Sequence, residues 1–195
     1  MNEFKIVFLG SPGVGAKTSL IKRFRHEQFK VHEVSTTGAS YSDINVNTVL
    51  GKIKLILWDT VGQQQYKSLL FPFLKDSNCF ILGYSITNKD SFYDIKNDLF
   101  NRVLKYVKND ELIYLVGNKI DLYEDRKVSQ KVAKDYAKEK NIKFFEISAK
   151  TQENVEELFE DICNSLLYKY RSNEMKIILN NENNYLKKMQ KYYNY

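Results

Sequence analysis

The run Gly10-Ser11-Pro12-Gly13-Val14-Gly15-Ala16-Lys17-Thr18 carries residue types that can hold a phosphate. Backbone N–H groups of a glycine-rich loop curl around phosphate oxygens, while a lysine ammonium and a hydroxyl reach them from the start of the following helix. The usual spacing is Gly, four residues, Gly, Lys, Ser or Thr. Here Ala16 stands as one residue more, between Gly15 and Lys17. Further polar runs have chemistry of their own: Ser35-Thr36-Thr37-Gly38, Asp59-Thr60-Val61-Gly62-Gln63, Asn118-Lys119-Ile120-Asp121 and Ser148-Ala149-Lys150. A carboxylate such as Asp121 can accept two hydrogen bonds at once from a pair of neighbouring N–H donors.

These runs need a scaffold that brings them together, and the hydrophobic pattern supplies one. Residues 4–9, 79–84, 112–116 and 144–147 read as strands, and 39–49 with 53–58 as a hairpin around Leu50-Gly51. Helices are predicted over 18–25, 91–108, 129–140 and 154–170, with an irregular one over 66–74 broken near Pro72. In the last of the regular helices Val155, Leu158, Phe159, Ile162 and Leu166 recur at three-to-four spacing. Strands alternating with helices predict an α/β fold: a six-stranded, mostly parallel sheet flanked by helices on both faces. Ligands of such sheets sit beyond the carboxyl ends of the strands, which is where the phosphate loop and the runs at Asp59, Asn118 and Ser148 fall.

Asn118-Lys119-Ile120-Asp121 with Ser148-Ala149-Lys150 resembles the base-reading elements of small GTP-binding proteins, and the distances along the chain match that family. Within it the resemblance is to Rab proteins, carried from Phe4 to about Tyr170 by Trp58-Asp59-Thr60, by Gln63-Gln64-Gln65-Tyr66 and by Tyr84-Ser85-Ile86-Thr87-Asn88. The resemblance implies a P-loop NTPase domain over residues 1–171, a tail over 172–195, and GTP or GDP with Mg²⁺ as ligands. It implies nucleotide contacts from Gly13, Val14, Gly15, Ala16, Lys17, Thr18 and Ser19, from Phe29 at the ring edge, and from Gly62 and Thr36 at the γ-phosphate. Asn118, Lys119, Asp121, Ser148, Ala149 and Lys150 would read the base, with the Lys119 stem over the ring and the Ala149 N–H on O6. Thr18, Thr36 and Asp59 would serve Mg²⁺, and Gln63 would orient the attacking water. Effector, exchange and activating proteins would meet the two loops around Thr36 and Gln63, as in vesicular trafficking.

Composition narrows the alternatives. The chain has 195 residues, 43% of them hydrophobic, enough for one domain with a full core. Thirty Lys and Arg against 24 Asp and Glu give a net charge of +6, but the charges are scattered rather than striped, so no nucleic-acid partner is expected. Cys79 and Cys163 lie in separate apolar runs and read as buried thiols of a reducing compartment. No apolar run approaches the ~18 residues of a membrane span, position 2 is Asn, and the final Tyr-Tyr-Asn-Tyr offers no cysteine for prenylation. A cytoplasmic location, or a peripheral one on endomembranes, is expected. In the tail, residues 180–184 read as a polar break, while Tyr185, Leu186, Met189, Tyr192 and Tyr193 fall on one helical face. That tail reads as a short docking helix or a partly disordered linker.

Three departures from the family pattern fall where its chemistry is most sensitive: the extra Ala16, Val61 in place of alanine, and Gln64-Gln65 in place of a Glu-Arg pair. A slip of one residue would carry the Lys17 ammonium by ~3.5 Å. The expectation is a guanine nucleotide-binding switch with slow or unusual hydrolysis. The competing reading is a pseudo-GTPase scaffold with lost or impaired turnover, and Asp121 disfavours a third, an ATP-dependent enzyme.

Overall fold

The computed structural model describes residues 1–28, 40–60, 71–107 and 111–193. Its strands are β1 Asn2–Leu9, β2 Ser40–Thr48, β3 Gly51–Asp59, β4 Cys79–Ser85, β5 Leu112–Asn118 and β6 Lys143–Ile147. They form one sheet in the order β2-β3-β1-β4-β5-β6. Every neighbouring pair is parallel except β2 with β3. That pair turns at Val49-Leu50, one residue earlier than the sequence pattern suggests, because Gly51 at φ +128° already pairs with Thr48.

The helices are α1 Thr18–Phe24, α2 Phe71–Leu74, α3 Lys89–Asp94, α4 Phe100–Leu104, α5 Gln130–Glu139 and α6 Val155–Tyr193. A π turn, Ile95–Leu99, joins α3 to α4 in one continuous rod, and a 3₁₀ segment, Ile120–Asp125, follows β5. Alternate strand residues point to opposite faces. On one face Ile6, Phe8, Leu55 and Tyr114 meet α1 and α6, where Phe24 stacks on Phe159 with ring centroids 3.5 Å apart. On the other, Val7, Phe80, Leu82 and Leu115 meet Phe92, Phe100 and Tyr136 from α3, α4 and α5. All residues of β4 and β5 are buried, which is why both read as unbroken apolar runs rather than alternating ones.

Helix starts follow from their caps. Asn88 Oδ1 accepts from the N–H groups of Asp90 and Ser91, starting α3 two residues before the predicted position. Ser129 Oγ accepts from Val132 N–H at the head of α5. Pro72 falls in the first turn of α2, where a missing N–H is tolerated; the rest of the predicted 66–74 helix lies outside the described residues. The largest difference from expectation is α6, which passes residue 171 without interruption and includes residues 180–184, read above as a break. Met175, Ile177, Ile178 and Leu179 are exposed on it. Among the described residues no helix is long and apolar enough to cross a membrane.

Two segments at the carboxyl edge are tied by an ion pair. Arg126, just past the 3₁₀ segment, makes two bonds to Glu146 of β6, at 2.7 and 2.9 Å. Glu146 is 8% exposed and also accepts from the Tyr84 hydroxyl. The bidentate hydrogen bonding to Glu146 raises the Arg126 pKa further. Arg126→Met should therefore destabilise the fold by about 3 kcal/mol, because it strands a buried carboxylate. Arg126→Met with Glu146→Leu should recover most of that loss, and urea denaturation of both variants measures it.

Candidate functional site

Strand β1 has its two neighbours, β3 and β4, on opposite sides, so the loop after it emerges at a switch point of the sheet. In that loop Gly15 has φ +68°, and a Cβ there would lie 2.7 Å from Asn118 Nδ2. Backbone conformation and space both require glycine at this position. Ala16 is fully buried. Lys17 follows at the head of α1 and turns back, donating from Nζ to the carbonyls of Gly10 at 2.8 Å and Ser11 at 3.0 Å. An ammonium has three donors, so a ligand oxygen can be taken up without breaking either bond. Burial lowers the Lys17 pKa to about 8, with Asp59 opposing the shift.

Thr18 donates from its hydroxyl to Asp59 Oδ2 at 2.5 Å. Asp59 ends β3 and is 6% exposed; the next residue, Thr60, is anchored by a 2.6 Å bond to the Phe8 carbonyl. The hydroxyl and carboxylate thus converge on one point beside the loop, a pair of hard oxygen donors that suits Mg²⁺. Ser19 sits half-buried in the first turn of α1. The start of the loop is held from the other side, where the Ser11 hydroxyl donates to Asp94 at 2.9 Å.

At the ends of β5 and β6 the second half of the site is assembled. Asn118, 2% exposed, donates from Nδ2 to the Val14 carbonyl and accepts at Oδ1 from Ala149 N–H, both at 3.0 Å. Its amide joins the two halves, and the Ala149 N–H would be shared if it also served a ligand. Lys119 takes a left-handed conformation at φ +73° and reaches the Gly13 carbonyl with Nζ at 2.7 Å, its stem spanning the gap between the loops. Asp121 Oδ1 accepts from the Ser148 hydroxyl at 2.6 Å, and that hydroxyl in turn accepts from Thr151 N–H. Lys150 Nζ lies 3.9 Å from Asp121 Oδ2. Gly13, Val14 and Gly15 are therefore brought against Asn118 and Lys119. Asn118 in turn meets Ala149, and Asp121 meets Ser148 and Lys150, while Thr18 meets Asp59 beside Lys17, with Ala16 buried just before it. Phe29, Thr36, Val61, Gly62, Gln63, Gln64 and Gln65 lie outside the described residues.

Several participants escape sequence reasoning. Arg23 of α1 donates to the carbonyls of Ala149 and Lys150, at 2.8 and 3.0 Å, and so supports the turn after β6 from 126 and 127 residues away in sequence. Asp94 supports the phosphate loop in the same long-range manner. Tyr41, Trp58 and Phe73 form an aromatic strip, with ring centroids 5.5 and 5.1 Å apart. Tyr41 is 68% exposed. A signal for the strip existed: Trp58 is the only tryptophan and lies on the face of β3 opposite Leu55 and Leu57.

Comparison with known proteins gives the family. Residues 5–168 match the profile of the Ras family. Human Ras-related protein Rab-30 is 37% identical over 172 residues, covering 88% of this chain and 84% of its own. Ras-related protein Rab-21 of Canis lupus familiaris is 38% identical over 165 residues, covering 85% of this chain and 73% of its own. The chain belongs to the Ras family and, within it, to the Rab-like small GTPases.

Proposed function

We propose that the chain is a guanine nucleotide-dependent switch of the Rab type in vesicle-mediated transport, binding GDP and GTP and hydrolysing GTP slowly. The observation that carries this reading is the Asn118 amide, bonded at once to Val14 and Ala149, which holds a phosphate half and a base half in one fixed relation. At the phosphate half Lys17 supplies the positive charge. Thr18 and Asp59 are the described residues that would hold Mg²⁺, with Thr36 as the further ligand; the ion, when bound, neutralises charge on the phosphates. At the base half Ser148 fixes Asp121 so that its carboxylate meets the N1–H and 2-amino group of guanine. Gln63 orients the attacking water, and Gly62 and Thr36 bind the γ-phosphate, so that the two loops order with GTP and relax after hydrolysis. The aromatic strip of Tyr41, Trp58 and Phe73 lies beside these loops along the chain and gives effectors an apolar surface that the loops modulate. On this reading the protein works in the cytoplasm or peripherally on endomembranes, with exchange and activating proteins as further partners.

Asp121→Asn tests the reading. The amide loses one acceptor and presents a donor to the 2-amino group, so GDP affinity should fall at least about a hundredfold, while xanthosine diphosphate, with an oxygen at that position, should gain. Equal affinities for GDP before and after the change, measured by isothermal titration, would sink it. The lowered pKa of Lys17 gives a second expectation. A bound phosphate favours the charged ammonium, so affinity is flat well below pH 8 and falls as pH rises through it, by about tenfold between pH 7 and pH 9. Lys17→Met should bind far more weakly and lose that slope.

A further inference from the structure

An extra residue in a phosphate loop must either bulge into solvent or be taken inward. Ala16 is taken inward, with no exposed surface. What it meets is β4, a strand whose every residue is buried and whose side chains are otherwise mostly large. The exception is Gly83. A Cβ built on Gly83 would lie 2.5 Å from Ala16 Cβ, closer than real side chains come, and a tight 3.3 Å from the Ala16 carbonyl oxygen. The first glycine of the loop rests on the same spot: a Cβ on Gly10 would lie 2.3 Å from the Gly83 carbonyl oxygen. Gly83 has no positive φ, unlike Gly10, Gly13, Gly15 and Gly51, so its backbone does not demand glycine. The space does, as expected where another backbone passes close to a strand.

We propose that Gly83 is a positioning residue for the phosphate site: by lacking a side chain it makes room in the core for Ala16, so that the lengthened loop closes with Lys17 in place. The Lys17 ammonium stays within 3.0 Å of the Gly10 and Ser11 carbonyls instead of being carried outward by the additional residue. Both ends of the loop, Gly10 and Ala16, lie on the one strand position, and Lys17 bonds back across the space between them. Ala16 and Gly83 therefore form a coupled pair, in which the loop keeps an insertion and the strand keeps a gap that receives it. The proposal rests on the nucleotide-binding reading above and assigns the loop as rebuilt rather than broken.

The test is a pair of single substitutions and their combination in the full chain, Gly83→Ala, Ala16→Gly and both together. Affinity is read by titration with GDP and with GMP, and the melting temperature without nucleotide is read alongside. Gly83→Ala should weaken GDP by about thirtyfold, as overpacking pushes the loop aside. GMP, which lacks the β-phosphate that Lys17 serves, should change by less than about threefold, a split that general unfolding would not produce. Adding Ala16→Gly removes the opposing methyl and should return GDP affinity to within about fivefold of Ala16→Gly alone. If Gly83→Ala fails to fold, Ala16→Val crowds the same spot from the loop side and should show the same GDP-selective loss. Unchanged GDP affinity in the crowded variants, equal losses for GDP and GMP, or no rescue by the second substitution would overturn the proposal. A wild-type chain that binds no GDP would sink the functional reading instead. The pairing would then stand or fall on whether Ala16→Gly restores the melting temperature lost in Gly83→Ala.

Discussion

Both ends of the Asn118 amide bond to protein, and the candidate site depends on those two bonds. In a position 2% exposed, away from competing water, such bonds are strong and their loss leaves buried groups unpaired. One bond reaches the loop after β1, the other the turn after β6, so two segments 135 residues apart are fixed to each other through the end of β5. Around this link the remaining supports converge. Lys119 reaches across to Gly13, Arg23 reaches from α1 to Ala149 and Lys150, and Ser148 aims Asp121. The Arg126–Glu146 pair holds the surrounding backbone. Each half of the site is thus supported by residues of the other.

Much of this was legible in the sequence because it is local. A glycine-rich loop between an apolar strand and an amphipathic helix, and Asn-Lys-x-Asp after a second apolar strand, each carry their structural context in a few residues. The strand and helix order followed from hydrophobic period and gave the parallel sheet. What was not legible is long-range or energetically subtle. Nothing near Arg23 announces that its guanidinium supports Ala149, and nothing near Gly83 announces what passes over it. The early start of α3 came from Asn88, whose side chain supplies the cap that the hydrophobic period does not register. The length of α6 escapes the sequence pattern because asparagine is a poor helix former. Each such residue costs only a fraction of a kcal/mol, and a helix already nucleated on the core by Phe159 and Ile162 continues through them.

The extra residue in the phosphate loop shows how local and global information divide. Spacing alone identifies Ala16 as a departure and suggests a lysine displaced by a residue length. Packing gives the opposite result: the methyl is buried, the strand beneath has no side chain there, and Lys17 still returns to Gly10 and Ser11. Burial also lowers the lysine pKa to about 8, a cost to its charged form that a bound anion would offset. A local irregularity matched by a compensating position elsewhere is consistent with a sequence whose levels agree.

The most direct measurement is the identity of the nucleotide that accompanies the purified protein. Gentle purification with magnesium, followed by denaturation and chromatography of the supernatant, should release close to one equivalent of GDP or GTP per chain. A chain that is folded by circular dichroism, releases no guanine nucleotide, and takes up none when GDP and Mg²⁺ are supplied would contradict the closed, competent loop described above.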